Sequence, residues 1–205
     1  MSKYSCFVVS STRQRIVGGP SMVVGGLDLA AYEHRCSGFA VIDETDMVLK
    51  KLDCLYGDIE IIENAKLFSV DVLAIDAPVA ESPRFREVDR EAIRRGFRVM
   101  PPTFKHMKEL TLRAWRLSRE LSSLGIIVIE THPRSALVNS GAHDVNELLD
   151  LLGISVNMYQ DKLKKKDLKD ALIAALVALC YKRKYCLGTL KATDGTIHIL
   201  APLKR

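Results

Sequence analysis

Apolar residues near the start of the chain fall into three short runs that predict strands. The runs cover residues 22–30, 36–43 and 47–55, and each has the length of a buried strand. The connections between them are short, and the sequence Asp-Glu-Thr-Asp that joins the second run to the third is typical of a turn. We therefore predict an antiparallel meander of three strands.

Helical and strand patterns then alternate along the rest of the chain. Helices are predicted over residues 57–68, 86–95 and 103–124. Two more apolar runs, at 71–78 and 126–130, predict a fourth and a fifth strand. Because these two strands are joined through helices, we expect them to be parallel. The whole pattern predicts a mixed five-stranded α/β sheet, flanked by helices and followed by terminal helices.

The first 21 residues do not fit this pattern. They end in Gly-Gly-Pro-Ser, and Met22 immediately precedes the first strand. The segment lacks the long apolar region and the cleavage site of a signal peptide. We interpret residues 1–21 as an added extension, or as a misassigned start with translation beginning at Met22, and residues 22–205 as a single domain.

Composition and cysteine usage indicate the environment of the protein. The chain has 205 residues, of which 48% are hydrophobic, so it can bury a full core. No apolar run approaches the roughly 18 residues of a membrane span, so we predict no membrane association. The five cysteines are odd in number and contain no C-x-x-C pair, which argues against a disulfide framework or a zinc ribbon. We expect reduced thiols, no disulfide partners and a cytoplasmic location.

Positive charge is concentrated in one part of the chain. The stretch 84–119 contains eleven Lys or Arg and four Asp or Glu, whereas the whole chain has a formal net charge of +5. The remainder is therefore slightly acidic. Such asymmetry is expected for a protein with a polyanionic partner, although solvated helix faces are also often basic.

Three of the predicted strands carry a carboxylate at or near the end. Asp28, Asp76 and Glu130 each follow an uninterrupted or nearly uninterrupted apolar run. Ligands of open α/β sheets bind at the carboxyl ends of the strands. Crowded carboxylates repel one another unless cations intervene, and oxygen ligands select hard cations, so we predict Mg²⁺ or Mn²⁺. The alternative is that each acid caps the helix that follows it.

A further pair of acids begins the apolar helix near the end of the chain. Asp167 and Asp170 lie one turn apart, next to the apolar stripe that starts at Leu168. Acids are favoured in the first turn of any helix, because they meet the positive end of the helix dipole. The alternative is that this helix brings both carboxylates to the strand ends and completes the metal site.

Several motifs resemble those of a known family, the domain-of-unknown-function family 429. In chain order they are GLDLA, IDAP, REVDREAIRRGFRVMPP, IETHPRS, KDLKDALIAAL and GTIHILAP. That family is described as predicted nucleases, so the resemblance implies an RNase H-like fold and a nuclease. The broader superfamily, which includes RuvC-type Holliday-junction resolvases, has acids on the first strand, a later strand and the last helix. By resemblance, the catalytic and metal-binding residues are Asp28, Asp76, Glu130, Asp167 and Asp170.

Basic residues close to these motifs are candidate phosphate contacts. Arginine suits this role because its planar fork can bind two phosphate oxygens. The candidates are Arg86, Arg90, Arg95, Arg134 and Lys166. The alternatives are a solvated helix with Arg–Glu pairs for the first three, and neutralisation of the acids for the lysines around Lys166.

We therefore predict a nuclease that hydrolyses phosphodiester bonds of DNA or RNA with Mg²⁺ or Mn²⁺ held by carboxylates. One alternative is a nucleic-acid-binding module without turnover, although an acidic pocket gives no advantage to a protein that only binds polyanions. Another alternative is a nucleotide phosphotransferase of the actin and sugar-kinase type. No glycine-rich phosphate loop supports the latter.

Overall fold

Five strands form one mixed sheet in the computed structural model, which describes residues 22–100 and 104–204. The strands are β1 (Val23–Asp28), β2 (Ser37–Asp43), β3 (Val48–Leu55), β4 (Val72–Ile75) and β5 (Ile127–Glu130). Their order across the sheet is β3-β2-β1-β4-β5. The first three are antiparallel, whereas β4 and β5 are parallel to β1. The predicted sheet is confirmed.

Six α-helices flank the sheet in the described residues. They are α1 (Gly57–Leu67), α2 (Glu87–Arg94), α3 (Lys105–Ser123), α4 (Pro133–Ser140), α5 (Val145–Leu152) and α6 (Lys166–Arg183), the last preceded by a 3₁₀ segment, Asn157–Lys164. The first three lie within two residues of their predicted ends. Apolar periodicity places helices well because the buried stripe must repeat with the helical turn.

Two hydrophobic clusters cover opposite faces of the sheet. On one face, α6 packs on residues such as Val24, Ala40 and Ala74. On the other face, α1 and α3 cover a second row that includes Leu27 and Ile75. The two rows alternate along each strand, as the pleat requires. The helix α6 is buried all round from residue 171 to residue 180, which explains why its sequence is almost purely apolar there.

Two glycines allow α6 to approach the sheet closely. A Cβ atom on Gly26 of β1 would lie 2.1 Å from the carbonyl oxygen of Ala171 and 2.1 Å from the backbone nitrogen of Ala175. A Cβ atom on Gly38 of β2 would lie 2.1 Å from the carbonyl oxygen of Asp167. Side chains at these positions would push the start of α6 away from the strand ends. The glycines therefore decide where the acids of α6 lie.

A substitution at one of these glycines tests that close packing. We expect Gly26→Ala to lower the free energy of unfolding by about 1–3 kcal/mol, because the added methyl group meets backbone atoms that cannot move separately. Gly25→Ala is the matched control, since the nearest atom to its Cβ is the flexible Cδ1 of Leu73, at 2.6 Å. Urea denaturation of both variants gives the comparison. Equal losses would show that α6 does not depend on the contact at Gly26.

A hairpin of two strands follows α6, where only terminal helices were predicted. Its strands are β6 (Leu187–Ala192) and β7 (Gly195–Leu200), which form a second sheet. A single bridge between Thr131 and His198 connects β7 to the end of β5. The turn between them holds the start of α2, because the carboxylate of Asp194 accepts hydrogen bonds from the backbone nitrogens of Glu87 at 2.8 Å and Val88 at 3.2 Å. The hairpin was missed because its strands are only partly buried, so their apolar residues do not form a continuous run.

The prediction of no disulfide partners is wrong. The structure pairs Cys36 with Cys54 and Cys180 with Cys186, and the Cα atoms are 5.0 Å apart in each pair. Antiparallel pairing of β2 with β3 brings the first two together, and the turn after α6 brings the other two together. An odd count and irregular spacing therefore say little about pairing when the fold makes cysteines neighbours. The correction also removes the cysteine argument for a cytoplasmic location.

Two other predictions concern the environment and the domain boundary. Across residues 22–100 and 104–204, every helix is too short or too polar to cross a membrane. The interpretation of residues 1–21 lies outside the described residues.

Candidate functional site

Two acids lie side by side at the carboxyl ends of neighbouring parallel strands. Asp28 is the last residue of β1, and Asp76 directly follows β4. The preceding residues, Leu27 and Ile75, are paired in the register. The backbone nitrogen of Asp76 donates a hydrogen bond to the carbonyl oxygen of Leu27 at 2.8 Å, so the ladder continues to the acid itself. The predicted convergence of these two acids is what the parallel pairing produces.

The start of α6 brings two more acids to the same face of the sheet. Gly38, where α6 passes closest, is opposite Asp28 in the β1–β2 ladder. The helix has Lys165 as its N-cap, and no side chain caps it by a hydrogen bond. Asp167 lies in the first turn, whereas Asp170 lies beyond it. The dipole explanation therefore remains open for Asp167 but does not account for Asp170.

The electrostatics show that Asp28, Asp76 and Asp170 are crowded. Burial, followed by repulsion from Asp170 and Asp167, raises the pKa of Asp28 from 3.8 to about 7. Burial, followed by repulsion from Asp28 and Asp170, raises the pKa of Asp76 well above its ordinary value. The pKa of Asp170 is also raised, chiefly by burial. Negative charge is thus concentrated here beyond what the neighbouring residues compensate.

Lysines at the start of α6 provide part of the missing positive charge. Lys166 Nζ lies 3.3 Å from Asp170 Oδ2, and Lys165 Nζ lies 3.6 Å from Asp167 Oδ2. Attraction to Asp170, with smaller contributions from Asp28 and Asp76, raises the pKa of Lys166. Its side chain is nevertheless 83% exposed, so it can move away without disturbing the core. Of the alternatives for Lys166, neutralisation of the acids is the one that this arrangement favours.

The donor chemistry of this cluster fits a hard divalent cation. All the acidic side chains offer oxygen atoms, which Mg²⁺ and Mn²⁺ prefer. Their raised pKa values indicate that a cation would relieve repulsion. Within residues 22–100 and 104–204, however, no group of three or more His, Cys, Asp or Glu side chains is arranged as a metal site. The cluster therefore fits in its chemistry, without a complete ligand shell.

Glu130 was predicted as a ligand of the same site, but the structure gives it another environment. In the ladder it is opposite Ile75, and Ile75 is opposite Leu27, so it lies in the row that faces α1 and α3. Asp28 and Asp76 belong to the next row, and successive rows of a sheet face opposite sides. Sequence position alone did not reveal this one-residue offset. Its carboxylate nevertheless lines the same cavity as Asp28 and Asp76. After burial, Asp28 and Asp170, the charge of Glu130 also helps to raise the pKa of Asp76.

An arginine occupies the oxygens of Glu130. Arg86 donates from Nη1 to Oε2 at 2.7 Å and from Nη2 to Oε1 at 2.5 Å. The same guanidinium group donates to both oxygens of Asp89, at 2.8 Å and 3.2 Å. Burial lowers the pKa of Arg86, but the bonds to Glu130 and Asp89 outweigh it and raise the pKa overall. All three side chains are at least 92% buried. Both oxygens of Glu130 are thus already bonded, and its role as a metal ligand stays a prediction.

The same ion pairs correct the prediction for Arg86. Its side chain is only 3% exposed and is bonded to two carboxylates, so it is not offered to a phosphate backbone. Nothing in the sequence indicates this role, because the partner Glu130 is 44 residues away. Only the i,i+3 spacing to Asp89 was visible, and many exposed helix pairs have that spacing. The buried pair is therefore the main feature that sequence reasoning missed.

The other basic candidates lie on the surface. Arg90 pairs with Glu87, and Arg95 pairs with Glu91, at the spacing of solvated helix pairs. Exposed pairs of this kind contribute little and exchange readily, so both arginines stay accessible. Arg134, in the first turn of α4, is also exposed. The structure thus shows Arg–Glu pairs on α2, as the alternative for these arginines proposed. Phosphate binding by Arg90, Arg95, Arg134 and Lys166 stays a prediction.

A cavity of about 190 Å³ opens beside the acids. Asp28, Asp76 and His132 line one side of it. His132 is the N-cap residue of α4, and its Nδ1 lies 2.5 Å from the hydroxyl oxygen of Ser135. Burial, followed by repulsion from Arg134 and Lys166, lowers the pKa of His132, so the ring is neutral at pH 7. The sequence analysis did not single out His132, since the cavity that it lines forms only in the fold.

Comparisons with known proteins bear on the fold. No protein-family model and no curated protein matches the chain. Among solved structures, T. thermophilus RuvC in complex with Holliday junction substrate is similar, with a TM-score of 0.50 and 16% sequence identity. The match covers 80% of this chain and 96% of that chain. At this identity the likeness concerns the fold alone, and it confirms the predicted RNase H-like class.

Proposed function

We propose that the protein is a metal-dependent nuclease that hydrolyses phosphodiester bonds of DNA or RNA. The observation that carries this proposal is the crowding of Asp28, Asp76 and Asp170 at the carboxyl ends of two parallel strands, with raised pKa values. A protein gains nothing in stability from such a cluster, so a ligand of opposite charge is the natural explanation. The likeness in fold to RuvC, solved with a Holliday junction, supports the choice of nucleic acid.

In the proposed reaction, Asp28, Asp76 and Asp170 hold the cation, and Asp167 is close enough to assist. The bound cation would stabilise negative charge on the phosphate and lower the pKa of a water molecule. Hydrolysis would add one water molecule across the P–O bond, with the hydroxyl group going to phosphorus and the proton to the leaving oxygen. When a cation binds, the ammonium group of Lys166 would move from the carboxylate of Asp170 to the phosphate. Both of these groups are anions, and the exposed side chain of Lys166 is free to move between them.

The accessible basic residues would bind backbone phosphates of the nucleic acid other than the one that reacts. Arg90 and Arg95 lie on α2, whose start at Arg86 lines the cavity, and Arg134 follows His132 at the start of α4. Such contacts position the backbone without reading sequence. Membership of family 429 is part of this proposal, because the motifs that resemble it include Asp28, Asp76 and both acids of α6.

A cleavage assay tests the proposal. Labelled single strands, duplexes, hybrids and four-way junctions are incubated with Mg²⁺, Mn²⁺ or EDTA. We expect cleavage with either cation and none with EDTA. Asp76→Asn is expected to slow cleavage at least about a hundredfold, which corresponds to about 2.7 kcal/mol of barrier. The control is Asp161→Asn, whose carboxylate is 92% exposed beside Lys164 and should leave the rate unchanged.

The contrary results are distinct. Cleavage that persists in EDTA, or in Asp76→Asn, would mean that these acids do not carry the reaction. Tight binding of nucleic acid without any cleavage would favour the alternative of a binding module.

A further inference from the structure

The cavity beside the acids is lined by the buried network of Arg86, Asp89 and Glu130 and, over much of its remaining wall, by apolar residues. They come from the loop after α2, from the first half of α3 and from the hairpin β6–β7. The principal ones are Val99, Met100, Met107, Leu110, Leu190 and Ile197. An acidic cluster that needed only a cation and a phosphate would have no use for such a wall. The apolar side therefore requires its own explanation.

The size of the cavity limits what it can hold. Its volume of about 190 Å³ lies below the roughly 300–1,000 Å³ of pockets for drug-sized ligands. A single flat ring system is therefore the largest apolar group that fits. Arg86 also lines the cavity, but it is already bonded to Glu130 and Asp89 and so is not free to bind the phosphate there.

Polar groups lie where the edge of a ring would reach them. His132 and Ser135 both line the cavity and contact each other through Nδ1 and the hydroxyl oxygen. In the described part of the chain, the other ring nitrogen of His132 has no hydrogen-bond partner. A flat ring between apolar side chains, with one or two hydrogen bonds at its edge, is the usual arrangement for an extruded nucleobase.

We propose that this cavity receives the base of an unpaired nucleotide while the adjoining phosphate lies at Asp28 and Asp76. The inference rests on the proposed function and adds the substrate class, namely strands with an unpaired base at the cleavage position. A paired base has to leave its stack first, which costs free energy that an unpaired base does not lose. The protein is therefore expected to bind unpaired positions at least about tenfold more tightly than paired ones.

Fluorescence of 2-aminopurine tests base insertion directly. The probe is dim when stacked in a strand and bright when isolated from other bases. No Phe, Tyr or Trp is among the described residues that line the cavity, so the inserted probe should stay bright. We place the probe at an unpaired and at a paired position of otherwise identical duplexes, in Mg²⁺ and in EDTA. We expect brightening for the unpaired probe in Mg²⁺.

Matched variants locate the effect in the cavity. Leu110→Trp fills the cavity from α3, and Met100→Trp fills it from a position that is 51% exposed and tolerates a large side chain. Leu112→Trp is the control on the same helix, since Leu112 is 37% exposed and does not line the cavity. We expect brightening to be lost in the first two variants and kept in the control. Thermal melting checks that each variant is folded.

Three results would overturn the inference. They are unchanged brightening in both cavity variants, equal affinity for paired and unpaired probes, and no brightening of the unpaired probe by the wild type. A denaturing gel run on each sample scores cleavage separately. Cleavage without brightening rejects base insertion and leaves the nuclease proposal standing. Brightening without cleavage supports base insertion and counts against the nuclease.

Discussion

Replacing Arg86 with methionine is expected to lower the free energy of unfolding by about 3–5 kcal/mol at pH 7. The guanidinium group is 3% exposed and bonds to both Asp89 and Glu130, whose side chains are 1% and 8% exposed. Without Arg86, two buried carboxylates lose their only counter-charge in this network. Each must then take up a proton or admit water, and both are unfavourable. Urea denaturation of the wild type and the variant measures the loss.

The control for this result is a pair of the same chemistry on the surface. Arg90 and Glu87 are both 48% exposed, so Arg90→Met should cost no more than about 1 kcal/mol. Neutralising the buried carboxylates together with the arginine, as Arg86→Met with Asp89→Asn and Glu130→Gln, should recover most of the loss. Equal losses at Arg86 and Arg90 would mean that the buried network does not exist in solution.

The buried network also explains how the acidic cluster keeps its geometry. Glu130 Oε2 accepts a hydrogen bond from the backbone nitrogen of Val79 at 2.9 Å, which ties the loop after Asp76 to β5. Arg86 connects the same carboxylate to α2. The loop that carries Asp76 is therefore held from two sides. Glu130 therefore fixes this loop, and its carboxylate also lines the cavity beside Asp28 and Asp76.

The parts of the fold that could be predicted from the sequence are those with a local signal. The strands β1, β4 and β5 are short apolar runs, and the acids at their ends stand out because they interrupt those runs. The direction of each strand follows from the length of the connection that precedes it. The parallel pairing of β1 with β4, which brings Asp28 and Asp76 together, was therefore predictable. The sequence also shows glycines near these acids. Only the structure shows that Gly26 and Gly38 allow α6 to pack closely against the sheet.

The remaining features depend on contacts between distant residues. The pairing of Arg86 with Glu130 joins residues 44 apart, and Cys36 with Cys54 joins residues 18 apart across two strands. No spacing rule distinguishes these pairs from unpaired residues of the same types. The face of the sheet on which Glu130 lies depends on a register offset of one residue, which an apolar run does not specify.

Neutralising Asp28 is expected to stabilise the metal-free protein at high pH. Its pKa is raised from 3.8 to about 7, so between these values the folded protein holds a proton that the unfolded chain has lost. Its contribution is thus fully present below about pH 4 and disappears as the pH rises through about 7. Asp28→Asn mimics the protonated form, so in EDTA it should exceed the wild type by only about 1 kcal/mol near pH 4.5. Near pH 8 it should be more stable by up to about 4 kcal/mol, at about 1.4 kcal/mol per pKa unit.

A divalent cation should reverse that order. Mg²⁺ or Mn²⁺ stabilises whichever folded protein binds it, so the wild type should gain more than Asp28→Asn in excess cation. Melting curves at pH 4.5, 7 and 8, with EDTA and with Mn²⁺, contain both comparisons, and Asp161→Asn should follow the wild type throughout. If Asp28→Asn melts below the wild type at pH 8 in EDTA and still gains the full Mn²⁺ effect, the acids are neither crowded nor ligands. In that case the carboxylates at the strand ends would stabilise the fold and would not bind a metal. A cation stabilises such a cluster by relieving repulsion, so it has this effect only where the carboxylates destabilise the metal-free native state.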